Sequence, residues 1–144
     1  NESIILDDKT GVIQKFKDTC FHITDEQIKN RSLQNYFRYC YLVGPYRFEK
    51  WSYREAWMQI AQNYNEAIEC YCNYLFCINR SFIPRKDWLA YLTFELKLKP
   101  DGHNNYMESL YARQLDKKSI SNNQSKFQEL KKWVEEYSKE NKWI

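Results

Sequence analysis

An all-α fold, a helical bundle of about five helices preceded by a short N-terminal β-hairpin, is predicted by three observations. Long stretches of the chain carry apolar residues at helical spacing. Recognisable start and stop signals bracket those stretches. Only 3 Gly and 3 Pro occur in 144 residues, which leaves little material for loops. This length suits one domain with a real core, and the hydrophobic (43%) and charged (28%) shares are those of a globular chain.

Residues 3–17 read as the hairpin. Ile4, Ile5 and Leu6 form a brief apolar run, and the four residues from Asp8 to Gly11 carry turn chemistry. Val12, Ile13 and Phe16 then resume the apolar pattern. An isolated hairpin is marginal in water, and the rest of the sequence supplies no sheet for it to join. The division expected is therefore 1–22 for the hairpin and 23–144 for the bundle.

Thr24, Asp25, Glu26 and Gln27 make a capping box with acids in the first turn, where the helix dipole favours them. The helix it opens runs through Ile28, Leu33, Phe37, Cys40 and Tyr41 until Gly44 and Pro45 stop it. Ser52 and Glu55 look like a second capping box. It would launch a long helix whose stripe includes Trp57, Ile60, Tyr64, Ile68, Tyr71, Leu75 and Ile78 over about seven turns. Pro84 is suited to begin a third helix over 85–98, because its missing N–H costs nothing in a first turn. Residues 100–103 break the chain. Tyr106, Leu110 and Leu115 mark a fourth helix, 121–124 reads as a polar linker, and Phe127, Leu130, Val134 and Tyr137 mark a fifth. No internal repeat is evident.

Composition narrows function by exclusion. The net charge of +3, from 22 basic and 19 acidic residues interspersed, gives no clear nucleic-acid footprint. No apolar run approaches a membrane span, no signal peptide is evident, and a cytoplasmic protein is expected. Five cysteines (Cys20, Cys40, Cys70, Cys72 and Cys77) lack both a CxxC pair and a histidine at ligand spacing. Zinc is therefore not expected, and reduced, mostly buried thiols are. The 12 Tyr, 8 Phe and 5 Trp suit a Tyr-rich core first and an aromatic binding surface second. Nucleotide-loop, serine-hydrolase and metalloprotease motifs are absent, and two histidines, His22 and His103, are poor material for histidine-based acid–base chemistry.

The long helix carries the candidate site. Met58, Gln62, Asn65, Glu69, Cys72, Phe76 and Asn79 follow one another at alternating spacings of 4 and 3, so they share one face beside the apolar stripe. Such a polar seam either lines a cleft between helices or is a solvated flank. The helix then ends in Asn79 and Arg80, followed by Pro84, Lys86 and Trp88. Arg80 and Lys86 bring cations suited to phosphate, and Glu69 is the candidate carboxylate for orienting or deprotonating an acceptor hydroxyl. Gln62, Asn65, Tyr71, Asn79, Arg80, Lys86 and Trp88 are the candidate substrate-binding residues, with no metal ligands.

The run from Tyr74 to Leu89, with Asn79, Arg80, Pro84, Lys86 and Trp88 in order, resembles a helical stretch in bacterial nucleotidyltransferase-like proteins of the DUF4037 type. The opening from Ile4 to Val12 resembles the trailing strand and turn of such a core, which would account for the orphan hairpin. The resemblance covers about 3–17 and 28–98. It implies a mixed-sheet core that binds Mg²⁺ and a nucleoside triphosphate, and a helical domain that helps form the pocket for a small-molecule or other acceptor. This chain has no Gly-Ser dipeptide followed by Asp-x-Asp, and Asp7 and Asp8, adjacent on a strand, would point to opposite faces. It therefore resembles the substrate-side part, expected to be inactive by itself, with the core in cis and homodimerisation possible. The chain opens on Asn1 without an initiator Met, which is read as the start of a fragment. The second reading is a free-standing helical interaction or self-association module.

Overall fold

The computed structural model describes residues 10–12, 14, 15, 23–112 and 116–144. Most of the expected hairpin, with Cys20, His22 and Leu115, lies outside them. The described residues from 23 onward form helices joined by short turns. The elements are α1 (Asp25–Leu42), α2 (Pro45–Tyr53), α3 (Trp57–Ile78), α4 (Lys86–Leu92), a 3₁₀ turn (Thr93–Glu95), α5 (His103–Tyr111) and α6 (Lys117–Glu140). There is no strand among the described residues.

The Thr24 capping box forms as its sequence indicates. Gln27 N–H donates to Thr24 Oγ1 (3.2 Å), and Thr24 N–H donates to Gln27 Oε1 (3.0 Å). The Ser52 box does not form. Gly44 and Pro45 end α1, but Pro45 also starts α2, with its fixed φ and absent N–H in the first turn. Ser52 and Tyr53 then belong to the last turn of α2. Glu55 takes a left-handed φ of 53°, its N–H reaches Ser52 C=O (3.0 Å), and Ala56 N–H reaches Trp51 C=O (3.0 Å). That pair of bonds is a Schellman stop, so the long helix begins at Trp57 rather than Ser52.

The same stop recurs at Arg80 (φ 52°) and Lys142 (φ 56°), each time without the glycine that usually occupies it. A left-handed residue with a Cβ costs about 1 kcal/mol. Glu55→Gly is therefore expected to raise the unfolding free energy by about 0.5–1 kcal/mol in chemical denaturation. Glu55 is exposed, so little packing is lost.

The central element is α3. Fourteen of its 22 residues are buried, and from Tyr71 to Ile78 only Asn73 is not. A helix apolar nearly all round belongs inside a bundle, and α1 packs along it while α6 lies across both. Tyrosine hydroxyls fasten α6 in place. Tyr39 donates to Phe127 C=O (2.7 Å), Tyr64 to Gln124 Oε1 (2.6 Å), and Tyr74 shares a hydrogen bond with Ser138 Oγ (2.9 Å). Much of the tyrosine content is thus core, with the polar tip of each ring satisfied across a helix interface.

Two further boundaries differ from the expected ones. The third helix, expected over 85–98, ends at Leu92. Thr93 Oγ1 donates to Ala90 C=O (2.6 Å) and tightens the chain into the 3₁₀ turn, after which Leu96 is extended. Residues 121–124 are no linker but lie inside α6, which Asp116 caps through Ser119 N–H (2.9 Å). Asn123 is buried, and Gln124 and Gln128 both donate to Val43 C=O (3.2 and 2.7 Å). Val43 at the end of α1 and Tyr64 on α3 hold Gln124 in place, and the helix runs on through the turn-favouring Ser121, Asn122 and Asn123. Cys70, Cys72 and Cys77 are buried free thiols; burial pushes Cys70 up to about 11 and Cys72 higher, which leaves them unreactive.

Candidate functional site

Helix α4 is short and lies on the surface, with only Leu89 buried. Lys86, Ala90 and Phe94 recur every four residues along one side, and Asp87 and Tyr91 run beside them. Opposite stands α5, which contributes Met107, Glu108 and Tyr111. Between the two helices is an open groove of about 360 Å³. Met107, fully buried, and Phe94, half-buried, lie deep in its wall, whereas Tyr91 and Tyr111 are exposed. Trp88, 55% exposed, meets Tyr91 edge-on at 6.1 Å and extends the aromatic surface past the groove.

The groove is backed by a buried polar network. Phe94 packs edge-on against the His103 ring at 5.9 Å. Nδ1 of His103 lies 2.9 Å from Tyr71 Oη, and Nε2 lies 2.8 Å from Thr93 Oγ1. Because Thr93 gives its one proton to Ala90 C=O, the imidazole must donate from Nε2 and accept the Tyr71 proton at Nδ1. The neutral tautomer is thereby fixed. Burial, assisted by the Lys99 charge, lowers the His103 pKa to about 4.

The sequence-predicted residues fall in different places. Glu69 and Lys86 meet: Lys86 Nζ lies 2.8 Å from Glu69 Oε1 and 3.0 Å from Oε2 at the groove rim. The carboxylate, by its hydrogen bond and its charge, holds the lysine above its ordinary pKa. Tyr71 is buried behind the groove rather than lining it. Gln62 and Asn65 are exposed on the first half of α3, while Cys72 and Phe76 of the same seam are buried, so the seam is solvent-facing at one end and core at the other. Asn79 is committed to the backbone. Its amide nitrogen donates to Leu75 C=O and Leu98 C=O (2.8 Å each), and its oxygen accepts from Leu98 N–H (2.9 Å). Arg80 forms an ion pair with Asp25 at the start of α1. Arg80 and Lys86 are therefore paired to acids on different helices.

Tyr91, Phe94, Tyr111, Asp87 and Glu108 escape the sequence reading. Their signal is present: Asp87, Tyr91 and Phe94 sit at i, i+4 and i+7, away from the buried Leu89. A second, smaller cavity of about 180 Å³ lies between α1 and residues 81–83, lined by Ile28, Arg31, Cys77, Phe82 and Ile83 among others. Among the described residues no group of three or more His, Cys, Asp or Glu is placed to hold a metal ion, and no helix is long and apolar enough to cross a membrane. No family model, curated protein or solved structure matches the chain.

Proposed function

We propose that this chain is the helical, acceptor-binding domain of a bacterial, cytoplasmic nucleotidyltransferase-like protein, and that the α4–α5 groove receives the acceptor. One observation carries the reading. The Lys86–Glu69 pair, which lies partly within the run resembling such proteins, stands at the rim of an aromatic-walled groove. An apolar groove with a few polar groups at its edge is the usual form of a small-molecule site. Tyr91, Phe94 and Tyr111 would hold the body of the acceptor. Glu69, already hydrogen-bonded to a cation, would orient a hydroxyl, and Lys86 would turn from Glu69 toward an incoming phosphate. Mg²⁺ and the nucleoside triphosphate belong, in this reading, to a core in cis.

Binding to the protein that includes the core tests it. Glu69→Gln and Lys86→Ala are each expected to weaken acceptor binding several-fold in calorimetric titration, with the melting temperature nearly unchanged because the Lys86 side chain is 81% exposed and Gln keeps the shape of Glu69. Unchanged binding in both folded variants would remove the groove from the site. Upstream coding sequence with Gly-Ser and a following Asp-x-Asp is expected; its absence would remove the transferase reading.

The interaction-module reading has its own support. α2 buries none of its residues, and Tyr46 (77% exposed), Tyr53 (92%) and Met58 (80%) present apolar surface around it. Sedimentation separates the two: self-association abolished by Tyr53→Ser, with groove variants silent, favours the module.

A further inference from the structure

We infer that the α4–α5 groove is built for an organic cation, an ammonium group carried on an apolar stem. This rests on the groove being the binding site and names the class of ligand it takes.

The walls come first. Tyr91 and Phe94 have ring centroids 6.3 Å apart and planes inclined at 37°, a tilted pair rather than a flat stack. Tyr111 stands on the facing helix. Aromatic faces carry negative potential and attract a cation seated over them, most strongly where water is partly excluded. Ala90, half-buried among the lining residues, gives the apolar stem a surface to rest on, over the fully buried Met107.

Charge at the rim decides between ligand classes. Asp87 and Glu108 are both lining residues. Glu108 has no ion pair among the described residues, and Asp87 has only a loose one, 3.5 Å from Arg85 with both side chains exposed. The one cation that lines the groove among the described residues, Lys86, is engaged by both oxygens of Glu69. While Lys86 stays on Glu69, an anion between the rings would meet two carboxylates and the negative ring faces with no free cation. A neutral apolar ligand would leave both carboxylates unused. A cation uses the rings and the carboxylates together. The volume of about 360 Å³ accommodates a trimethylammonium group with its stem.

Choline and neohexyl alcohol, its neutral isostere of the same shape, test the inference by NMR titration of the 144-residue chain. Choline is expected to shift the Tyr91, Phe94, Tyr111 and Met107 resonances saturably, with a dissociation constant on the order of millimolar, as suits a small ligand. Neohexyl alcohol is expected to bind at least several-fold more weakly. Glu108→Gln is expected to weaken choline and leave the alcohol unchanged, with helical circular dichroism retained. No saturable shift, equal binding of the two probes, or choline binding insensitive to Glu108→Gln would overturn the cation site. Choline binding that persists while Glu69→Gln and Lys86→Ala leave acceptor binding unchanged would overturn the acceptor reading and keep the cation site. The opposite pattern would overturn the cation site alone.

Discussion

The unfolding free energy is expected to fall by about 3 kcal/mol as the pH is lowered from 6.5 to about 4, and His103→Gln is expected to remove that fall. In the folded chain the imidazole is buried, and its two nitrogens are committed as one acceptor and one donor. A proton on Nδ1 would take the acceptor from Tyr71 and place a charge away from water. The folded pKa therefore lies at about 4, below the 6.5 of an ordinary histidine. The sign follows. Above 6.5 neither state is protonated and stability is level. Between 6.5 and 4 the unfolded chain takes up a proton that the folded chain refuses, so stability drops. Below 4 both are protonated, and this group adds no further slope. A glutamine side chain in place of the imidazole would keep an acceptor toward Tyr71 and a donor toward Thr93 without titrating. Denaturation at a series of pH values, with an NMR titration of the His103 ring, gives the result. A ring titrating near 6.5 in the folded chain would sink the account. The consequence reaches the groove, because Phe94 rests on His103 and its position depends on the network behind it.

How much of this was legible in the sequence varies with how local the cause is. The start of α1 was fully legible, because Thr24 and Gln27 satisfy one another within a single turn. The identical logic failed at Ser52 and Glu55. There the deciding event was Pro45 starting a new helix seven residues earlier, so that Ser52 arrived at a helix end. The polar run 121–124 misled for a longer-range reason: Gln124 is held by Tyr64 and Val43, far away in sequence. At the site, spacing alone could place Glu69 on a helix face and Lys86 at the start of the next helix. Their meeting depends on the turn through Arg80, whose left-handed backbone redirects the chain. From spacing alone Asn79 belongs to the polar seam because it shares that face. Two of its three backbone bonds, both to Leu98, appear only once residues 96–98 fold back across the end of α3. The groove itself was illegible. Its two walls come from helices separated by a chain break, and the missed residues, Tyr91 and Tyr111, become neighbours only through α5 docking.

Phe127→Ala is expected to cost about 4 kcal/mol, the largest single loss among these substitutions. The ring is fully buried between α1 and α3, 4.3 Å from the Tyr64 ring and 6.5 Å from that of Tyr39. Its removal forfeits the transfer energy of the side chain and leaves a cavity between two large rings that cannot both move inward. The hydroxyls of Tyr39 and Tyr64 are tied to α6 backbone and to Gln124, which resists such collapse. Gln128→Ala provides the contrast. Val43 C=O loses its 2.7 Å donor but keeps Gln124, so a loss of about 1 kcal/mol is expected. Chemical denaturation compares the two variants, and hydrogen exchange at Asn123 and Gln124 gives an independent reading. If α6 is one docked helix, those amides are protected to nearly the global stability, and Phe127→Ala lowers their protection together with that of α3. Fast exchange at 121–124 with a small loss for Phe127→Ala would mean that α6 is dispensable to the core. The tyrosine clasp would then be ornamental, and α1 and α3 would have to bury their tyrosines against something else.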